Sequence, residues 1–377
     1  MIPLSVPHLA GNEWKYVKDC LDTGWISSVG SYVTSFENKV AEFAGSRFGV
    51  ACVNGTNGLH IALILAKVNR GEMVIVPNIT FVATLNAIRY AGADPILVDI
   101  DPGTWQMDLD LLQSYLEENT RSAEAGCIHK ATGKLIKAVM PVHVLGNIGD
   151  INRLQEICSR FNLVIIEDST EALGSWYRGK HAGTFGLMGV FSFNGNKIIS
   201  TGGGGVIVTD DEALAKKAKH LTTQAKVGEE YMHDEVGFNY RLVNVLAAIG
   251  LAQMELLPSF IEKKKHIDRY YRERLSGVGD ILFQEVIENV NPNCWLFTFR
   301  TKKMRELLTC LNKQSIQSRP FWVPMNQLPM FSHDIYVSRD DFSSLIYQQS
   351  ISIPCSTGIT DDQLEKVTES ITRFYNQ

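Results

Sequence analysis

The sequence predicts an α/β fold: a large domain around a mostly parallel, doubly wound sheet, then a smaller C-terminal α+β domain. Two observations carry this. Strand-like and helix-like segments alternate through most of the 377 residues. The strand-like runs are continuous Val, Ile and Leu rather than alternating apolar and polar, as expected of strands that helices cover on both faces.

Taken in order, "FGVACVN" (48–54) reads as a strand, and "TNGLHIALILAKV" (56–68) follows as a helix with apolar residues at helical spacing. "EMVIVP" (72–77), "TFVATLNAIRYAG" (80–92) and "DPILVDI" (94–100) repeat the pattern. "KAVMPV" (137–142), a helix near 150–160 and "LVIIED" (163–168) continue it, and "GGVIVTDDEALAKKAKHL" adds a strand and a helix. A long helical stretch opens near residue 242, and Pro258 is expected to break it. After "SGVGD" the style changes. "CWLFTFR" reads as a strand, "KKMRELLTCLNKQ" as a helix, and "ISIP" with "TDDQLEKVTESITRF" as a last strand and helix. The large domain is therefore placed at 1–257 and the small one at 258–377.

Apolar residues make up 45% and charged residues 20%, a globular composition without a disordered signature. A net charge of −5 leaves no electrostatic footprint for nucleic acid. No apolar run reaches the ~18 residues of a membrane span, and the start has no basic end followed by an apolar stretch, so no membrane partner is expected. Seven cysteines without a CxxC pair suit reduced thiols in a cytoplasm, and nine histidines show no metal-ligand spacing. The default expectation is a cytoplasmic enzyme without a metal.

In a doubly wound sheet, ligands collect beyond the carboxyl ends of the strands, and three stretches fall there. "VNGTNGLHIAL" sets Gly55, Thr56 and Asn57 between a strand and the first turn of a helix. Free amides, the helix dipole and a hydroxyl there suit a phosphate, although Gly-Thr-Asn is also ordinary turn and cap chemistry. It is neither a Walker A loop nor GxGxxG. "LVIIEDSTEALG" ends a buried strand on Glu167 and Asp168, where a carboxylate can keep a cationic ring nitrogen protonated or simply cap the next helix. "FSFNGNKIISTGGGG" (191–205) carries Ser192 and one charge, Lys197. A buried lysine without a partner costs several kcal/mol unless its pKa falls or its nitrogen is chemically occupied, whereas a surface lysine snorkels.

Phosphate cradle, carboxylate and isolated lysine, in that order, are what pyridoxal 5′-phosphate requires. With "GTNGLHIALILA", "PNITFVATLNAIRYAGADPILVDID", "IIEDSTEALGSWY", "GVFSFNGNKIISTGGGGVIVTDD" and "GFNYRLVN", the chain resembles the DegT/DnrJ/EryC1/StrS sugar aminotransferases of fold type I. The match runs from about residue 3 to "ISIPCSTGITDDQLEKV". The resemblance implies a seven-stranded, mostly parallel sheet and a homodimer with shared sites. It assigns Lys197 to the cofactor-bearing lysine and Asp168 to the partner of the pyridine nitrogen. It assigns Thr56, the Asn57 amide and Ser192 to the phosphate, beside Gly55, and Phe81 to the aromatic on the ring. Asn239 matches an asparagine that reaches the phosphate from the neighbouring subunit. Many relatives carry "FSFHATK" and "GEGG"; here Asn194 and Gly203 depart from both. Glu171 stands where Gln or His is common, near the cofactor's phenolic oxygen, and two anionic groups there would repel unless a proton is shared.

With "EDSTEALG" and "FNGNK", the chain looks most similar to the aminotransferases that make 4-amino sugars for bacillosamine and legionaminic acid (the LegC-like group). The implied reaction moves the amino group of L-glutamate, through pyridoxamine phosphate, to C4 of a nucleotide-linked 4-keto-6-deoxy sugar. A UDP-linked 2-acetamido sugar leads, and a GDP- or dTDP-linked 3- or 4-keto sugar is the alternative. Trp25 and Ser28 in "TGWISSVG", with Arg319, Phe321 and Trp322 in "RPFWVPMNQLPMF", are the substrate-side candidates, although structural uses are open to each. A pyridoxal phosphate-dependent sugar dehydratase, in which histidine replaces the lysine, is disfavoured by Lys197. A nicotinamide enzyme is disfavoured by the missing GxGxxG.

Overall fold

The computed structural model describes residues 1–376. The strands of the large unit are β1 (Phe48–Cys52), β2 (Met73–Pro77), β3 (Asp94–Val98), β4 (Thr120–Ala123), β5 (Gly126–His129), β6 (Leu135–Val139), β7 (Val164–Asp168), β8 (Met188–Ser192) and β9 (Gly205–Thr209). Seven of them form the expected sheet in the order β1-β9-β8-β7-β6-β2-β3. Only β9 is reversed, pairing antiparallel with both β1 and β8. The sheet is longer than the resemblance implies. The β4–β5 hairpin pairs with the start of β6, and a C-terminal strand, Ile335–Val337, adds in parallel to β3. An unpaired edge at β3 would leave a row of bare amides and carbonyls, which that strand covers.

Residue alternation in β2 explains the two-sided core. Val74 and Val76 face one apolar cluster with Leu59 and Leu97, while Met73 and Ile75 face another with Ile96 and Val98. Helices α1 (Glu13–Thr23) and α2 (Ser31–Ala44) pack on a long helix, Asn244–Leu275. That long helix runs unbroken through Pro258, contrary to expectation. Pro258 is exposed, and burial of Met254, Leu257, Phe260 and Ile261 around it outweighs one lost amide bond. The helix meets the length and composition of a membrane span, but just over half of its most apolar stretch is buried inside the protein. The proposed division at 257/258 therefore falls inside a helix that serves both units.

The C-terminal unit has its own core, in which Ile267, Tyr271, Phe299, Leu307, Leu364 and Ile371 meet. Its antiparallel sheet joins Leu282–Phe283, Thr298–Arg300, Ser350–Ser352 and Arg319–Pro320 in that order. This sheet delivers Arg319 and Trp322 to the carboxyl ends of the main strands, across from α3 (Gly55–Leu65) and α4 (Ala83–Tyr90).

Candidate active site

A cavity of about 390 Å³ opens where β1, β7 and β8 end, and it brings Gly55, Thr56, Phe81, Asp168, Glu171, Ser192 and Lys197 together. Period-two alternation decides between the two acids that end β7. Asp168 faces the cavity and is 3% exposed. Its Oδ2 accepts from Thr84 Oγ1 at 2.7 Å and its Oδ1 from the Thr170 amide at 3.2 Å. Glu167 turns away and accepts from His143 Nε2 (2.9 Å) and from the amides of Gly183, Phe185 and Gly186. It is a buried anchor for that loop. His181 is structural as well. Its Nε2 accepts from the Gly174 amide at 2.8 Å, and burial holds its pKa down at about 4.

Lys197 is 12% exposed, with Nζ 3.8 Å from Glu171 Oε1 and 4.1 Å from the centroid of the Trp295 ring. Burial pushes the amine's pKa down and the Glu171 carboxyl's up, while the charge of each opposes the shift of the other. Glu171 is pinned by the Leu145 amide, which donates to Oε2 at 2.8 Å. Leu145 holds φ at 61°, a conformation that leucine adopts only at some cost.

The phosphate cradle departs from expectation at one residue. Asn54 caps α3, and its Oδ1 accepts from the Asn57 amide at 2.9 Å, so that amide is already committed. The Gly55 and Thr56 amides lie in the first helical turn, where no intrahelical acceptor exists. The side chains of Thr56 and Ser192 line the same end of the cavity. A Cβ at Gly55 would sit 3.1 Å from Ser192 Cβ and from Thr170 Cγ2, closing the space that a phosphate needs. Gly205, last of the four glycines, lets β9 approach the Asn54 carbonyl; a Cβ there would lie 2.6 Å from it. Amides and hydroxyls at one end, a buried carboxylate, a depressed amine and the aromatic Phe81 fit pyridoxal phosphate.

Arg319, Phe321 and Trp322 also line this cavity, and Phe321 stacks on Trp322 at 4.7 Å. Trp25 and Ser28 do not. They line a second cavity of about 660 Å³ with Tyr32, Arg241 and Asn244. Asn239 lies outside the first cavity and is exposed. Sequence reasoning missed Asn54, Thr84 and Trp295. Thr84 follows Phe81 by one helical turn, a spacing that could have flagged it. Trp295 has no such signal, since only the packing of the C-terminal unit sets it beside Lys197.

The model of the DegT/DnrJ/EryC1/StrS aminotransferase family matches residues 7–372. GDP-perosamine synthase of Escherichia coli O157:H7 is 36% identical, over 100% of this chain and 99% of that one. GDP-perosamine synthase of Caulobacter vibrioides is 35% identical, over 98% and 97%. Among solved structures, the PLP form of Spr1654 from Streptococcus pneumoniae superposes with a TM-score of 0.87 at 25% identity, covering 100% of this chain and 98% of that one.

Proposed function

We infer the reaction from one premise: this chain belongs to the DegT/DnrJ/EryC1/StrS aminotransferase family, whose members are pyridoxal phosphate-dependent sugar aminotransferases. It moves the amino group of L-glutamate to C4 of a nucleotide-linked 4-keto-6-deoxy sugar. The observation that supports this most directly is an amine only 12% exposed, Lys197, sharing one cavity with a buried carboxylate, Asp168, and the bare amides of α3.

When bound, pyridoxal phosphate supplies the electron sink that makes a proton on the donor's Cα acidic. The chain's residues do the rest. Gly55, Thr56 and Ser192 would hold the phosphate and Phe81 would face the ring. Asp168, fixed by Thr84, would keep the ring nitrogen protonated. Lys197, its proton affinity lowered by burial, would hold the cofactor's aldehyde and would serve as the base for the donor's Cα proton. Arg319 at the mouth is placed for a carboxylate or a diphosphate.

Two relatives named for a GDP-linked product favour GDP as the sugar's carrier over UDP. The active unit is a homodimer in which Asn239 completes the partner's phosphate site. The exposure of large apolar side chains such as Trp14, Trp25, Val29, Tyr231 and Val236 supports association. We place the enzyme in the cytoplasm.

The test is a panel of GDP-, UDP- and dTDP-linked keto sugars with glutamate, with products identified by NMR. Borohydride reduction of the yellow holoenzyme runs alongside. The expected results are an amine at C4 of the GDP-linked sugar and a cofactor label on Lys197. Best turnover of the UDP-linked sugar reverses the nucleotide assignment, and a dehydrated product without new nitrogen overturns the reaction.

A further inference from the structure

Trp295 meets the Lys197 nitrogen and the backbone just before that lysine. The lysine nitrogen sits 4.1 Å from the centroid of the indole, and the indole Nε1 donates to the Asn196 carbonyl, just before Lys197, at 2.8 Å. The tryptophan is itself fixed and only 2% exposed. Its amide donates to Asn293 Oδ1 at 3.0 Å, and its carbonyl accepts from the buried Lys264 Nζ at 2.7 Å. Asn293 Nδ2 donates in turn to the carbonyls of Glu171 and Leu173, at 2.8 and 2.9 Å. One buried asparagine thus ties down both neighbours of the amine. Trp322 stacks on the indole, with centroids 6.5 Å apart.

An ammonium over an indole face is drawn by the ring's quadrupole, most strongly where water is excluded, and a neutral amine gains far less. The other ionisable groups facing Lys197 are Glu171 at 3.8 Å, Asp168, and Arg319 in the same cavity wall. At 3.8 Å the Glu171 contact is longer than a good hydrogen bond, so it does not fix where the nitrogen sits. The ring face does.

We propose that Trp295 is a positioning residue for Lys197, seating the protonated amine on its ring and aiming the lysine through the Nε1 bond to Asn196. The inference rests on Lys197 being the reacting amine, but the contact can be measured without that assumption. In enzyme stripped of cofactor, the rate of reductive methylation of Lys197 is followed against pH by mass spectrometry of its peptide. The wild type is compared with Trp295→Phe and Trp295→Leu. The leucine variant is expected to lower the titration midpoint by about one pH unit, and phenylalanine, which keeps a ring face, to recover most of it. An unchanged midpoint in the leucine variant, or equal displacement in both, overturns the proposal.

Should the leucine variant not fold, the same titration on protein made with fluorinated tryptophan keeps the ring's shape while draining its face. Among the described residues, Lys197 is the only lysine seated over a tryptophan, so a lowered midpoint reports this contact and an unmoved one sinks it. Borohydride labelling decides separately whether Lys197 carries the cofactor. A label on another lysine would defeat the reaction while leaving the titration result intact.

Discussion

Asp168 is aimed from two sides, by Thr84 Oγ1 on α4 and by the Thr170 amide just beyond β7. Thr84 is buried and also meets Thr80 Oγ1 at 2.7 Å, so the pair forms a small hydroxyl relay behind the carboxylate. Thr84→Val keeps the shape and removes the donor, leaving one buried carboxylate oxygen short of a partner. Apoenzyme stability is expected to fall by about 1–3 kcal/mol in urea titration. Pyridoxal phosphate should also dissociate more readily, because a carboxylate free to swivel no longer meets the ring nitrogen in one geometry. Unchanged stability and unchanged cofactor retention together would show that Thr84 does not hold Asp168.

Helix α3 has two tasks at one end in the proposed site: it is capped, and its remaining bare amides are offered to a phosphate. Asn54 separates the tasks by taking the Asn57 amide and leaving those of Gly55 and Thr56 free. Asn54→Asp tests the separation, because aspartate caps as well as asparagine but adds a negative charge beside the cradle. Unfolding stability is expected to stay within about 0.5 kcal/mol of wild type, on the ranking of capping residues. Affinity for pyridoxal phosphate should fall at least about tenfold, a loss of roughly 1.4 kcal/mol. Unaltered affinity, read by absorbance titration, would move the phosphate away from α3.

At the scale of the molecule, the prediction concerns shared sites. Asn239 is exposed, and its segment is pinned to the end of β1: the Val53 amide donates to the Tyr240 carbonyl at 2.9 Å, and Arg241 pairs with Glu37. If each site takes Lys197 from one chain and Asn239 from its partner, two crippled enzymes can repair each other. Lys197→Ala and Asn239→Ala, each weak or dead alone, are mixed under exchange. About a quarter of wild-type turnover is expected, since half the dimers are mixed and each holds one intact site. If mixing restores nothing, Asn239 serves its own chain or neither.

Much of this was legible in the one-dimensional pattern. Continuous Val/Ile runs determined a doubly covered parallel sheet, because strand burial is a local property of composition. The order of cradle, carboxylate and lysine named the cofactor, since the chemistry lies in residue types at strand ends. Legibility stopped where the outcome depended on distant partners. Pro258 was misread because the flanking burial that carries the helix past it comes from other elements. Asn57 lost its expected role to a cap that only the helix start defines. Trp25 and Ser28 went to a second cavity, and Trp295 came to Lys197, through packing between segments roughly a hundred or more residues apart. The sequence by itself determined which chemistry the chain carries. The tertiary structure alone decided which side chains hold that chemistry in place, because contact between remote segments is set by how whole cores pack rather than by any local pattern.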